Sequence, residues 1–255
     1  MRRFGLGRVV GIPIEIDASW FVILALLTWT LATSYFPFEV AGPAPWGYWL
    51  MGLLGAVLLF TCVLLHELGH SLVAKRYGIP VKRVTLFVFG GVAQIGADPE
   101  RAWVEFAVAL AGPLVSVAIV VACTLTTRLW VPQRAGELIA FALTRYLQRV
   151  NLAIIIFNSL PGFPLDGGRV LRAVLWGWSK NLVFATRIAS FLGNLLGLVL
   201  IALGLFFLVK GRLINGLWYG FLGSFLRDAA RTSYHQALLR QASEDARSGL
   251  GPRLN

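Results

Sequence analysis

His66-Glu67-Leu68-Gly69-His70 sets two imidazoles four residues apart with a carboxylate beside the first. On a helix such positions share one face about one turn apart. Both rings can therefore donate nitrogens to a single zinc while Glu67 stands next to a water at the metal, the donor pattern of a zinc hydrolase. The string closes an apolar run that has no other charged side chain from Pro43 to Ala74. Counting back by helix rise places it in the cytoplasmic half of a bilayer about 30 Å thick. Ionisable residues at such depth are costly and point to function.

Catalytic zinc takes three protein ligands and leaves a position for water, so a third donor must come from elsewhere. The candidate is Asp166, in the string Asn158-Ser159-Leu160-Pro161-Gly162-Phe163-Pro164-Leu165-Asp166-Gly167-Gly168. Pro161 and Pro164 cannot donate helix hydrogen bonds and push their predecessors towards extended backbone, so a helix should break shortly after Asn158. Unwound backbone at that depth is tolerated only beside protein or water. Two readings of Asp166 stand side by side: a carboxylate presented to the metal, or a cap on the next helix.

The elements that must carry these groups are membrane spans. Of 255 residues, 57% are apolar and 14% charged, against about 45–50% and 25% in soluble domains; mean hydropathy is +0.73. The expected fold is an all-α polytopic membrane protein in a lipid bilayer. About six spans are read from the apolar runs, at 18–36, 49–74, 104–127, 141–160, 184–209 and 214–227, the last being short and glycine-rich. The net charge of +11 does not indicate nucleic acid, because the basic residues are scattered between apolar runs and form no stripe on a soluble face. They instead set orientation: Lys75, Arg76, Lys82, Arg83, Arg169, Arg172 and the arginines near both ends fall on one side, which the positive-inside rule makes the cytoplasm. Both termini are expected there, in a multi-pass bacterial or archaeal cell-membrane protein.

Arg2 and Arg3 ahead of an apolar run imitate a signal peptide, but Glu15 and Asp17 intervene and the run is too long, so the first span is expected to be retained. Alternating Ile and acidic residues within Val9–Asp17 suggest a short strand. Val84–Phe89 and Val92–Ile95 flank Gly90-Gly91, a two-residue hairpin signal, placing a small β-hairpin between the second and third spans. Cys62 and Cys123 lie within spans and form no disulfide framework.

Three separated strings together resemble the site-2 proteases, a family of intramembrane zinc metalloproteases: His66 to His70, the Asn158-Pro161-Pro164-Leu165-Asp166-Gly167 series, and Ala111-Gly112-Pro113 with Ser116, similar to the family's glycine motif. The resemblance covers the chain from about Gly11 to Arg227. It implies one zinc per chain held by His66, His70 and Asp166, with Glu67 as general base and acid. It implies a peptide substrate in the membrane-spanning segment of a single-span protein, cleaved in regulated signalling. Asn158 would hold the substrate backbone, or else make an interhelical contact. Gly90 and Gly91 would lie in a small membrane-associated β-hairpin that dips into the bilayer and whose edge pairs with an extended substrate, or one that only plugs the bundle. Members with nucleotide-sensing modules or a periplasmic peptide-binding insertion carry segments that have no counterpart in these residues.

The organisation expected is a protease core over residues 1–227 and a polar cytoplasmic tail over 228–255, partly helical with a frayed end. Glu105 is expected to face the membrane interface, Cys62 to act as an apolar filler, and His235 to be solvated. The competing function class is a metal transporter or metal-sensing membrane protein, which would need polar groups at several depths. Spacing alone leaves zinc and other divalent ions of similar preference open.

Overall fold

The structure, a computed structural model, describes residues 3–88 and 90–248. They form two compact units. One comprises the chain up to Asp98 together with Leu110–Ile156; the other comprises Pro99–Ala109 and the chain from Phe157 onward.

The first unit opens with β1 (Arg3–Val9) and β2 (Ile12–Asp17). Asp17 accepts the Ser19 N–H at 2.9 Å, satisfying a donor at the start of α1 (Ser19–Glu39), which passes through a π-helical stretch at Leu31–Tyr35. Next comes α2 (Pro45–Arg76), which begins on a proline with no N–H to lose and ends on Lys75 and Arg76 at its negative pole. Then β3 (Val81–Phe87) and β4 (Gly90–Ile95) pair antiparallel. Most of α3 (Ala102–Leu129) and of α4 (Ala135–Asn158) completes this unit. A core of Leu31, Phe36, Met51, Ala56, Ala142 and Tyr146 joins α1, α2 and α4.

The expectation of an all-α chain is corrected here. The chain is mostly helical but holds a four-stranded sheet in the order β1-β2-β3-β4. Ile12, Ile14 and Ile16 are buried while Pro13 and Glu15 are only partly so, the period-two pattern of a one-sided strand. Its neighbour, however, is β3, joined in parallel through Ile14–Val84 and Ile16–Leu86. Such a pairing across a long helix leaves no local signal. Ile12, Ile14 and Val84 pack on Leu68 of α2, so the sheet rests on the helix turn that bears His66 and Glu67.

Gly90 and Gly91 are not the hairpin turn either. Gly90 pairs with Phe87 and Gly91 with Leu86, so both belong to β4. Phe89 lies outside the described residues.

In the second unit, α5 (Asp166–Ser179), α6 (Leu182–Val209) and α7 (Leu213–Ser248) follow one another. Gly197 of α6 lies so close to α7 that a Cβ there would fall 2.6 Å from the Gly223 carbonyl oxygen. The sixth expected run and the tail helix are one element, and the division expected at residue 227 lies inside it. Arg227 ends the apolar run without ending the helix, because its Nε donates to Asn194 Oδ1 at 3.0 Å and buried Leu226, Ala230 and Ala237 continue one face beyond it. The frayed ending expected for the tail falls on residues 249–255, outside those described.

Among the described residues, five helical segments are long and apolar enough to cross a membrane: Ser19–Glu39, Pro45–Arg76, Ala102–Leu129, Gly136–Asn158 and Leu182–Val209. They correspond to the first five expected runs. The fourth helix starts earlier than hydropathy indicates, because Glu137 Oε2 accepts the Gln133 and Arg134 N–H groups at 2.7 and 3.3 Å. Capping chemistry rather than apolarity sets that boundary.

Candidate metal centre

His66 and His70 lie one turn apart on α2, 4% and 3% exposed. Their Nε2 atoms face each other at 3.2 Å. Two imidazole nitrogens bound to one tetrahedral zinc at about 2.0–2.1 Å would stand about 3.3–3.4 Å apart, so the pair already has the separation of two ligands on one ion. The other side of His66 fixes its ring: Nδ1 lies 2.9 Å from Ser116 Oγ, and Ser116 is fully buried on α3. With the Nδ1 proton donated to that hydroxyl, the Nε2 lone pair is left for a metal.

The floor of the site is a glycine. A Cβ on Gly112 would stand 2.2 Å from His70 Nε2 and 2.7 Å from His66 Nε2. Gly69, between the histidines, is equally constrained: a Cβ there would be 2.9 Å from the Ala111 carbonyl oxygen. The two glycines let α2 and α3 cross at backbone contact, which brings Ser116 to His66 and leaves the nitrogens room for an ion.

Glu67 is oriented from the sheet. Its Oε2 accepts the Ala93 N–H of β4 at 3.1 Å, and a Cβ on Gly91 would press to 2.8 Å from its Cγ. Gly91 thus serves a close approach of β4 to α2, whereas Gly90, at φ +123° beside the chain reversal, has a backbone conformation that favours glycine.

Asp166 is the first residue of α5 and is 9% exposed. Asp166, in the second unit, supplies the carboxylate of a His66, His70 and Asp166 donor set that could hold one metal ion. Two imidazoles and a carboxylate are a recurring donor set for catalytic zinc, so the donor chemistry fits. Asn158 is the last residue of α4 and is partly buried. Cys62 is buried a turn before His66, and His235 is exposed on α7.

Three features escaped sequence reasoning. Ser116 stood out only as part of a string, with no partner assigned. The Ala93 contact uses a backbone N–H and has no side-chain signal. Glu105, expected at the interface, is instead 1% exposed and paired with Arg172; a lone charge near a helix start gives no sign of a partner so far along the chain.

The Ser116 contact carries a prediction. Ser116→Ala should weaken zinc binding by about 10–100-fold, the usual cost of losing a partner that orients a histidine ligand. Competition with a chromophoric chelator measures it, and unchanged affinity would deny the hydroxyl this role.

Residues 54–150 match Peptidase family M50. The putative zinc metalloprotease Rip3 of Mycobacterium tuberculosis is 42% identical over 229 residues, which cover 89% of this chain and 57% of the relative. The putative zinc metalloprotease sll0528 of Synechocystis is 37% identical over 241 residues, covering 94% of this chain and 62% of the relative. This chain therefore spans about six-tenths of the length of those curated relatives. Among solved structures, the site-2 protease from Methanocaldococcus jannaschii superposes with a TM-score of 0.59 at 27% identity, over 91% of this chain and 95% of that one.

Proposed function

The chain belongs to Peptidase family M50, the site-2 protease family, and on that premise we propose that it is an intramembrane zinc endopeptidase. It hydrolyses a peptide bond within or near the membrane span of a single-span protein and so releases a cytoplasmic fragment for signalling. The observation that carries this reading is the ligand-like separation of His66 and His70 Nε2, 3.2 Å, beside a carboxylate held by β4.

In this reading His66, His70 and Asp166 would hold the ion. Zinc bound there would supply Lewis acidity towards the scissile carbonyl and towards a water. Glu67 takes the water's proton and later passes it to the leaving amine. The Ala93 N–H keeps Glu67 aimed between those two tasks.

The substrate must arrive extended, since a peptide bond inside a helix is shielded by its own hydrogen bonds. β4 ends the sheet order, and its edge at Gly90 and Gly91 can add a substrate strand beside Glu67. Asn158 supplies a further polar contact to the substrate backbone. The first part of α7 makes the sixth span, and the basic residues near both ends keep the termini in the cytoplasm.

The direct test uses purified protein in detergent with candidate single-span membrane proteins. Cleavage should stop in 1,10-phenanthroline and return when zinc is added back. Cleavage indifferent to the chelator would overturn the reading.

A further inference from the structure

Asp166 depends on a weakly braced carrier. The segment ahead of it, residues 159–165, contains two prolines and is tied internally only by short turns, Gly162 N–H to Leu160 O at 2.9 Å and Leu165 N–H to Gly162 O at 3.0 Å. A metal ligand must be held to about 0.5 Å to be useful. Such a segment needs anchors from outside itself.

The anchors converge on Phe163. Its N–H donates to the Ala189 carbonyl of α6 at 3.2 Å, and its side chain packs with Ala189 and with Ala230 of α7. The Arg172 guanidinium covers its ring, with Cζ 5.0 Å from the centroid. Arg172 in turn donates from Nε to Glu105 Oε1 at 2.6 Å, and its Nη2 meets the same oxygen. The side chains of Glu105 and Arg172 are 1% and 15% exposed.

This chain of contacts brackets the ligand. Phe163 lies three residues before Asp166, on the segment leading into α5. Arg172 lies six residues after it, on α5 itself, within about two turns. Glu105, on the first turn of α3, thus fixes the rotation of α5, while the ring beneath the guanidinium fixes the entry to that helix. A buried ion pair rarely adds net stability over apolar residues of similar size. Holding a neighbouring group in place is the better account of why two charges are kept here.

We propose that Glu105, Arg172 and Phe163 act together as a clamp that positions the Asp166 carboxylate for the metal. The proposal rests on Asp166 being the third ligand. The role assigned to the three is that of positioning residues, acting through Asp166.

The test measures zinc affinity of the full chain in detergent by chelator competition, a quantity independent of turnover. Arg172→Met and Phe163→Leu should each weaken zinc about 10–100-fold, the range for lost ligand support. Arg172→Lys keeps the charge but loses the planar fork, so it should fall between native and Arg172→Met and serves if the latter does not fold. The deciding comparison is the Asp166→Ala background, where adding Arg172→Met or Arg172→Lys should cost nothing further. An equal loss in that background would show that the pair supports the fold or the histidines, and would overturn the clamp. Native affinity in Arg172→Met and Phe163→Leu, with Asp166→Ala still weak, would overturn the clamp but leave Asp166 as a ligand. If Asp166→Ala itself binds zinc normally, the reading beneath the proposal falls, and the clamp falls with it.

Discussion

Gly112→Ala should empty the metal centre and abolish cleavage, although it adds only one methyl group. The added Cβ would stand 2.2 Å from His70 Nε2 and 2.7 Å from His66 Nε2, closer than carbon and nitrogen tolerate. The rings cannot both retreat, because His66 is tied to Ser116 at 2.9 Å and both histidines are buried on a helix pressed against α3. The helix itself gives no reason for a loss, since alanine is favoured over glycine within a helix by about 0.8–1 kcal/mol. The variant should therefore fold, remain in the membrane, and fail to retain zinc through gel filtration. Metal analysis of the purified protein checks this. A stoichiometric zinc content in Gly112→Ala would mean that the nitrogens do not line the ion site as described.

Glu67→Gln should lower cleavage by about 10²–10⁴-fold, the usual contribution of a general base and acid, while zinc content stays at one per chain. The amide oxygen of glutamine can still accept the Ala93 N–H, so the contact now measured at 3.1 Å survives and the side chain keeps its place. What disappears is the ability to take a proton. The measurement is single-turnover cleavage of a single-span substrate alongside metal analysis. Full activity in this variant would remove Glu67 from the chemistry, and loss of zinc would recast it as part of the metal site. The contrast with Gly112→Ala is informative: one variant should fail with its metal and the other without it.

The same site shows where sequence reasoning was strong and where it failed. His66, Glu67 and His70 could be placed together because residues four apart on a helix share a face whatever else the chain does. The apolar runs likewise marked the five long helices, since hydropathy over about 20 residues measures what a lipid core demands. The misreadings all concern partners. Gly90-Gly91 has the composition of a tight turn, yet both residues are in strand, with Gly91 pressed against Glu67 of α2. Glu105 looked like an interfacial charge because Arg172, which buries it, is 67 positions away. The strand near the N-terminus was visible, but not its parallel pairing with β3.

By itself, the order of residues determined the membrane character of this protein, its long helices and the paired imidazoles with their carboxylate, because each follows from periodicity or hydropathy within a few turns. Tertiary structure alone decided that Ser116 fixes His66, that Gly112 leaves space for an ion, that a backbone N–H of β4 holds Glu67, and that Arg172 finds both Glu105 and Phe163. Those outcomes depend on how closely two backbones approach. Approach distance is set by packing across the fold, and no local pattern of side chains encodes it.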